Sequence, residues 1–341
     1  MRERSLALLA CVALLGCDIY DIGPALAALD ASQARELALG DRCSEESVPL
    51  MESQAESHAV SLDELADDER TLTGCGGMGI DGPDGFVRLS AAAEQRWSIL
   101  VEPLEDETDV VLYVLPTCDP SSCTDLMDRC GAGIPESFVF QAPSEGEYLL
   151  GIDTRAGAGA LEVTLLSTRC GDRRRELGEG CDDGNLMEGD GSDRECRLEI
   201  APDRPREIEP NNWPTEANVV PTTAESLERT VTGRLGGACD VDYFVVRLEQ
   251  PASLGAVLLN GAALPCDEST PAVTMELLNP DGTSRRGNGS AGGRGGTCPS
   301  IEAGAAFAED LEAGVYFLRI GAGRDTATVD YNLRIEVSPT S

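Results

Sequence analysis

Gly314-Val315-Tyr316-Phe317-Leu318, near the end of the chain, repeats Gly146-Glu147-Tyr148-Leu149-Leu150 in its first half, and each run leads into one more alternating run. Apolar and aromatic runs of this length, opened by Gly, read as β-strands. Two further matches lie upstream in the same order. Asp84-Gly85-Phe86-Val87 matches Asp242-Tyr243-Phe244-Val245, and Glu69-Arg70-Thr71-Leu72-Thr73-Gly74 matches Glu228-Arg229-Thr230-Val231-Thr232-Gly233. Agreement in order and rough spacing makes the chain two copies of one unit.

Within the first copy, 87–89, 97–101, 110–115, 137–140, 148–152 and 161–166 are strand-length runs separated by Gly, Pro, Asp and Ser. Turn signals at this spacing belong to a sandwich, and Ala91 to Ala93 is too brief to argue for a helix. The expected fold is therefore all-β. One sandwich occupies 43–169 and the second 207–338, with a spacer at 170–199 and a linker at 200–206. Trp97 lies in a strand pattern and is expected in the core, whereas Trp213 follows an Asn pair and is expected at the surface.

The spacer, Cys170 to Glu199, has no hydrophobic period. Between Glu176 and Asp193 it carries seven carboxylates and no basic side chain, with glycines among them. Such a segment cannot bury a core, so disulfides or a bound cation must order it. Asp182, Asp183, Asn185, Asp190 and Asp193 are candidate calcium ligands, although their spacing departs from the D-x-D-x-D-G loop. A charged spacer pinned by disulfides is the rival reading.

Acidic residues outnumber basic ones 61 to 26 over 341 residues, a net charge of −35. That surface repels nucleic acid and anionic headgroups and attracts divalent cations and basic partners. The chain has no lysine and one histidine, His58, which lies in a polar stretch and is assigned no role. Schiff-base lysines, phosphate-loop lysines and nearly all histidine-based catalysis are thereby excluded. The Gly-rich stretch 282–296, with Arg285, Arg286 and Arg294, lacks the Lys and following helix of a phosphate cradle and reads as an inter-strand loop.

At the N-terminus, Met1-Arg2-Glu3-Arg4 precedes an apolar run from Leu6 to Leu15, too short to span a bilayer and suited to a secretory signal over 1–17. Leu14-Leu15-Gly16-Cys17 resembles the bacterial lipobox, which implies cleavage before Cys17 and lipid on that residue. Residues 18–42 then read as a tether. The implied location is the cell envelope, anchored to the outer membrane or cell surface, with the periplasmic face of the inner membrane left open.

Of thirteen cysteines, eleven remain once Cys11 and Cys17 are set aside, so at least one is left over after pairing. Cys43, Cys75, Cys118, Cys130, Cys170, Cys181, Cys196, Cys266 and Cys298 are bridge candidates. Closeness in sequence suggests Cys43 with Cys75, Cys118 with Cys130 or Cys123, and Cys266 with Cys298 or Cys239, although spacing does not fix connectivity. CxxC metal spacing does not occur, which argues against zinc.

Glu209-Pro210-Asn211-Asn212, Val231-Thr232-Gly233, Asp242-Tyr243-Phe244, Leu278-Asn279-Pro280-Asp281-Gly282 and Gly314-Val315-Tyr316-Phe317 together resemble the bacterial pre-peptidase C-terminal domain. The resemblance covers nearly all of the second block and, more loosely, the first, and it implies jelly-roll-like sandwiches. The spacer resembles a cysteine-rich repeat of myxobacterial exported proteins, with Arg173 and Ser192 departing from its pattern.

On an extended segment Glu207, Glu209 and Asn211 face one side and converge three oxygens on a hard cation. The resemblance to collagen-binding relatives of that family implies a calcium site here, with Asn212 in place of its last Asp. Asp240 and Asp242 are added candidates. The leading expectation is a non-catalytic, lipid-anchored extracytoplasmic protein with a calcium-stabilised sandwich, binding an extracellular protein or polysaccharide and no nucleic acid. Alternatives are an accessory subunit of an envelope or secreted-protease assembly and a hydrolase using paired acids such as Asp240 and Asp242.

Overall fold

The computed structural model describes residues 35–340 apart from 53–55, 64, 68–70, 81, 169, 172, 174, 176–178, 202–204, 221–226, 238, 267–272, 280–288, 292–297 and 323–327. The signal, Cys17, most of the tether and the three arginines of the Gly-rich loop lie outside the described residues. Among the described residues no helix is long and apolar enough to cross a membrane.

The first block builds β1 (Arg35–Glu36), β2 (Leu50–Met51), β3 (Glu56–Ser61), β4 (Thr71–Leu72), β5 (Met78–Gly79), β6 (Gly85–Ala91), β7 (Arg96–Pro103), β8 (Asp109–Leu115), β9 (Asp125–Met127), β10 (Glu136–Gln141), β11 (Gly146–Ala156) and β12 (Ala160–Thr168). The second builds β13 (Asn218–Val220), β14 (Leu227–Leu235), β15 (Val241–Leu248), β16 (Ala252–Asn260), β17 (Val273–Leu278), β18 (Gly289–Ala291), β19 (Ser300–Ile301), β20 (Gly314–Ala322) and β21 (Val329–Pro339). Each block is a two-sheet sandwich, so the fold is all-β.

The two sandwiches share a strand order. One sheet runs β2-β6-β11-β8-β9 in the first and β13-β15-β20-β17-β18 in the second; the facing sheet runs β3-β12-β7-β10 and β14-β21-β16-β19, with β1 added beside β3. In both, a short strand lies parallel to the block's central hairpin partner at the sheet edge, β2 on β6 and β13 on β15. A side-chain detail is duplicated too. The Tyr148 hydroxyl donates to the Ser144 carbonyl at 2.8 Å, and the Tyr316 hydroxyl to the Glu312 carbonyl at 3.1 Å.

Two sequence matches need correcting. Thr71–Leu72 pairs only with Met78–Gly79 in a separate two-stranded sheet, whereas 228–233 lies within β14 along β21. The structural counterpart of β14 is β3. The second correction is a slip of one residue. Val87, Leu89 and Ala91 face the first core, and Phe244, Val246 and Leu248 face the second. The counterpart of Asp242 is therefore Gly85, not Asp84, and a one-residue slip puts every side chain on the opposite face.

The first sandwich begins by residue 35, so the tether expected to reach 42 is shorter. Leu37 donates its N–H to the Ala59 carbonyl at 3.0 Å, and Leu37 and Leu39 pack on the core that holds Trp97. A satellite core of Val48, Leu72, Ile80, Phe86, Val111 and Tyr113 covers the outer face of the β6-β11-β8 sheet. Bridges Cys43–Cys118 and Cys75–Cys123 pin this cover. Further bridges join Cys170 to Cys196 in the spacer and Cys266 to Cys298 in the second sandwich, and Cys181 is also disulfide-bonded. Neighbours in sequence thus do not pair in the first sandwich, and Cys130 is free, contrary to expectation, as is Cys239. Bridges in this number belong to an oxidising, extracytoplasmic compartment.

The spacer is docked, not loose. Ile200 donates to the Val219 carbonyl at 2.9 Å and is buried in the second core, and Arg197 stacks over Phe317, 5.3 Å from the ring centroid. Arg247 of β15 forms ion pairs with Asp193 and Glu195, at 3.4 and 3.7 Å, and with Glu188. From the first sandwich, Arg96 donates to the Glu195 carbonyl at 2.6 Å. Basic side chains from both sandwiches therefore hold the acidic segment.

Under the satellite core Asp84 and Asp153 are fully buried, each one residue beyond the last paired positions, Gly85 opposite Ile152. Burial, and next among the raising influences the Asp84 charge, push the Asp153 carboxyl up to about 8. An unfolded Asp titrates near about 3.9. The stability this contributes is fully present below about pH 4 and is lost as the pH rises through about 8. Asp153→Asn keeps the oxygen that accepts the Thr154 N–H at 2.5 Å. Its stability should fall less than the parent's between about pH 5 and about pH 8.5, by roughly 1–3 kcal/mol. Urea denaturation at the two pH values measures this, and parallel losses would contradict it.

Candidate cation site of the second sandwich

Asp242 shares the inward parity of Phe244, Val246 and Leu248, so β15 carries a carboxylate into the rim of the core, where it is fully buried. Tyr331, on β21, meets it there. Its hydroxyl lies 2.8 Å from Glu207 Oε2 and is hydrogen-bonded to Asp242 Oδ2 as well. Tyr331 is paired with Gly233 across β14, and a Cβ at Gly233 would stand 2.2 Å from the Tyr331 ring and 2.4 Å from Glu207 Oε2. The ring crosses that strand only because residue 233 is Gly.

The segment 207–212 enters from the linker side. Glu207 donates its N–H to the Thr232 carbonyl at 2.9 Å, and its carboxylate accepts the Arg234 N–H. After Glu207 the chain runs through a cis Glu209–Pro210 peptide. The Asn211 carbonyl accepts the Tyr243 N–H at 2.8 Å, which fixes this segment beside the start of β15. Carboxylate oxygens of Glu209, Asp240 and Asp242 lie within 4.8 Å of one another, Glu209 at the exposed mouth and Asp242 at the buried floor.

Asn211 is fully buried between them. With its amide nitrogen turned inward, it donates to Glu209 Oε2 and Asp242 Oδ1, 3.0 Å each. With the amide oxygen inward, the same position offers a further ligand to a hard cation and no donor to the carboxylates. The amide thus suits either state, hydrogen-bonded when empty and coordinating when filled. Burial, then the Glu207 charge, raises the Asp242 carboxyl far above the usual range, and burial raises Glu207 and Asp240 too. A divalent cation would replace those protons.

Four of the six residues read from sequence therefore meet at one place, Glu209, Asn211, Asp240 and Asp242, with Glu207 tied in through Tyr331. Asn212 does not. Its side-chain oxygen accepts the Val241 N–H at 3.2 Å and its carbonyl accepts from Arg129 at 2.8 Å. Tyr331 and Gly233 were missed as members. Nothing local marks them, because they reach the site across β14 and β21.

The five spacer residues divide. Asp193 is fully buried and committed to the chain itself, accepting from the Glu195 and Arg197 N–H groups at 3.0 and 2.9 Å and pairing with Arg197 and Arg247. Asp182 accepts from the Gly171 and Gly184 N–H groups at 2.9 and 2.8 Å. Asp183, Asn185 and Asp190 do gather, Asn185 Nδ2 donating to Asp183 Oδ1 at 2.9 Å and to Asp190 Oδ2 at 3.2 Å. Glu179, Asp182 and Cys196 also lie close together, but Cys196 is bridged to Cys170 and offers no thiolate. Among the described residues the first sandwich has no counterpart site, since Gly85 stands where Asp242 would.

Trp213, expected at the surface, is instead half-buried in the joint between the sandwiches. Its ring is 6.3 Å from that of Phe138 and 4.0 Å from the Arg129 guanidinium, whose Nη2 also donates to the Tyr243 hydroxyl at 3.2 Å. Cation–π stacking of a desolvated arginine ties the cation-site loop to the first sandwich.

No family model and no curated protein matches this chain. Among solved structures it is similar to a conserved protein of unknown function from Pseudomonas aeruginosa PAO1, at 13% identity and TM-score 0.20 over 76% of this chain and 80% of that one. A chain from the triple jelly-roll and turret assembly of an archaeal virus gives 9% and 0.21, over 76% of this chain and 57% of that one. Allantoicase gives 12% and 0.20, over 76% and 81%. Likenesses of this size assign neither fold nor function, and the fold rests on the strand order above.

Removing the Tyr331 hydroxyl takes a hydrogen-bond partner from two buried carboxyl groups. Tyr331→Phe should destabilise the chain in chelator by roughly 1–3 kcal/mol. The midpoint of urea denaturation reads this out; an unshifted midpoint would show that the hydroxyl does not support the site.

Proposed function

We propose that this chain is a non-catalytic extracytoplasmic binding or adhesion protein, held to a membrane by lipid on Cys17, whose second sandwich is stabilised by calcium. The observation that supports it is the meeting of Glu209, Asp240 and Asp242 carboxylates with the buried Asn211 amide at the rim of that sandwich. Oxygen donors of mixed charge, one set on the entry segment and one at the start of β15, suit calcium better than magnesium or a soft metal.

The site's place in the molecule gives calcium a mechanical role. Asn211 and Asn212 hold the start of β15, and Arg129 of the first sandwich grips the Asn212 carbonyl. A bound cation would draw the entry segment onto β15 and so set the two sandwiches against each other. Exposed strand faces would then be presented to an extracellular protein or polysaccharide. The net charge of −35 favours basic partners and disfavours nucleic acid.

The soluble form lacking residues 1–17 is expected to retain about one calcium per chain and to melt several degrees higher in calcium than in chelator. Asp242→Asn should lower calcium affinity at least about tenfold, while Asp183→Asn leaves it unchanged. Equilibrium dialysis and thermal melts measure both. No uptake, together with coincident melts, would remove the metal from this reading.

A further inference from the structure

Cys130 and Cys239 are the two free cysteines among the described residues, and they belong to different sandwiches. Cys130 is buried and follows Arg129, which reaches across the joint to Trp213, the Asn212 carbonyl and the Tyr243 hydroxyl. Cys239 is partly exposed, in the turn that leads into β15, four residues before Tyr243. Asn212 links the two segments, its carbonyl accepting from Arg129 at 2.8 Å and its side-chain oxygen accepting the Val241 N–H at 3.2 Å, and the Cys239 side chain, after burial, is among the groups that raise the Cys130 thiol. Glu136 Oε1 accepts the Arg129 N–H at 2.7 Å and the Cys130 N–H at 2.5 Å, which fixes the Cys130 backbone at the joint. All the other described cysteines are in disulfides.

We infer that Cys130 and Cys239 are a disulfide-forming pair, through which an external disulfide covalently locks the first sandwich to the second. The inference does not depend on the calcium reading. Both cysteines lie outside the named strands, Cys130 between β9 and β10 and Cys239 between β14 and β15, where a bridge interrupts no strand pairing. Access is one-sided, because only Cys239 reaches solvent.

The chemistry follows from that asymmetry. The Cys239 thiol gives its proton to solvent, and the thiolate attacks a small disulfide RSSR. The R–S–S–R bond breaks, a Cys239–S–SR bond forms, and RS⁻ leaves and takes up a proton. Cys130, once its proton passes to solvent, attacks the Cys239 sulfur. The mixed bond breaks as the Cys130–Cys239 bond forms, and the second RS⁻ departs and is protonated. In sum two protein thiols are oxidised and one external disulfide is reduced to two thiols. Burial raises the Cys130 thiol above its ordinary range, so little thiolate is present and the second step is the slow one.

Trypsin would release Cys130 on the peptide 130–155 and Cys239 on the peptide 235–247, each with one cysteine. The full chain is incubated with glutathione disulfide or with dithiothreitol, alkylated, digested without reductant and analysed by mass spectrometry. The two peptides are expected joined after glutathione disulfide and separate after dithiothreitol. In Cys130→Ala the expected product is a stable glutathione adduct on Cys239, and the compact joint should become more sensitive to limited proteolysis than the bridged parent. Alkylation of both cysteines after oxidant, a persistent adduct on Cys239 in the parent, or linkage of either peptide to a different cysteine would each overturn the inference.

Discussion

A strand with one buried face leaves its sequence no choice about where alternate side chains go, and in β15 that constraint drives a carboxylate inward. Phe244, Val246 and Leu248 must face the core of the second sandwich, so Asp242 faces it too. An ionised carboxylate there is costly unless hydrogen bonds or a cation compensate. Tyr331, Asn211 and the neighbouring acids gather around that one position. The same parity in β6 places Gly85, which has no carboxylate, at the equivalent point, and Asp84 beside it faces the satellite core instead.

The acid-rim arrangement also explains how two copies of one sandwich have come to differ. Strand order is shared and so is the tyrosine hydroxyl bonded four residues back. The copies part at the outer faces of the equivalent sheets. In the first, Val48, Leu72, Ile80 and two disulfides cover that face. In the second, the spacer and Arg129 lie over it, with Arg197 on Phe317 and Arg129 on Trp213 and Tyr243. The cover of the second sandwich is thus borrowed from the spacer and from the first.

Arginine does the joining throughout. Arg96, Arg129, Arg197 and Arg247 each bring a planar guanidinium to carbonyls, carboxylates or rings at a boundary between segments. In a chain with 61 acids and no lysine, most carboxylates have no cation available. Glu188, Asp193 and Glu195, which pair with Arg247, are where the spacer meets the second sandwich. The weakly hydrated guanidinium tolerates such half-buried places better than an ammonium would.

Read alone, the sequence determined the all-β class, the duplication, the positions of most strands and the approach of Glu209, Asn211, Asp240 and Asp242. These rest on period-two alternation and turn residues, which act over a few neighbours. It could not determine the register that equates Asp242 with Gly85, because the two Asp-x-Phe-Val runs match best without the one-residue shift, and only the buried faces impose it. Nor could it pair Cys43 with Cys118 or Cys75 with Cys123, bring Tyr331 over Gly233, or set Cys130 against Cys239. Each of those joins residues distant along the chain, and what decides them is the stacking of sheets and the docking of one sandwich on another, for which no local pattern exists.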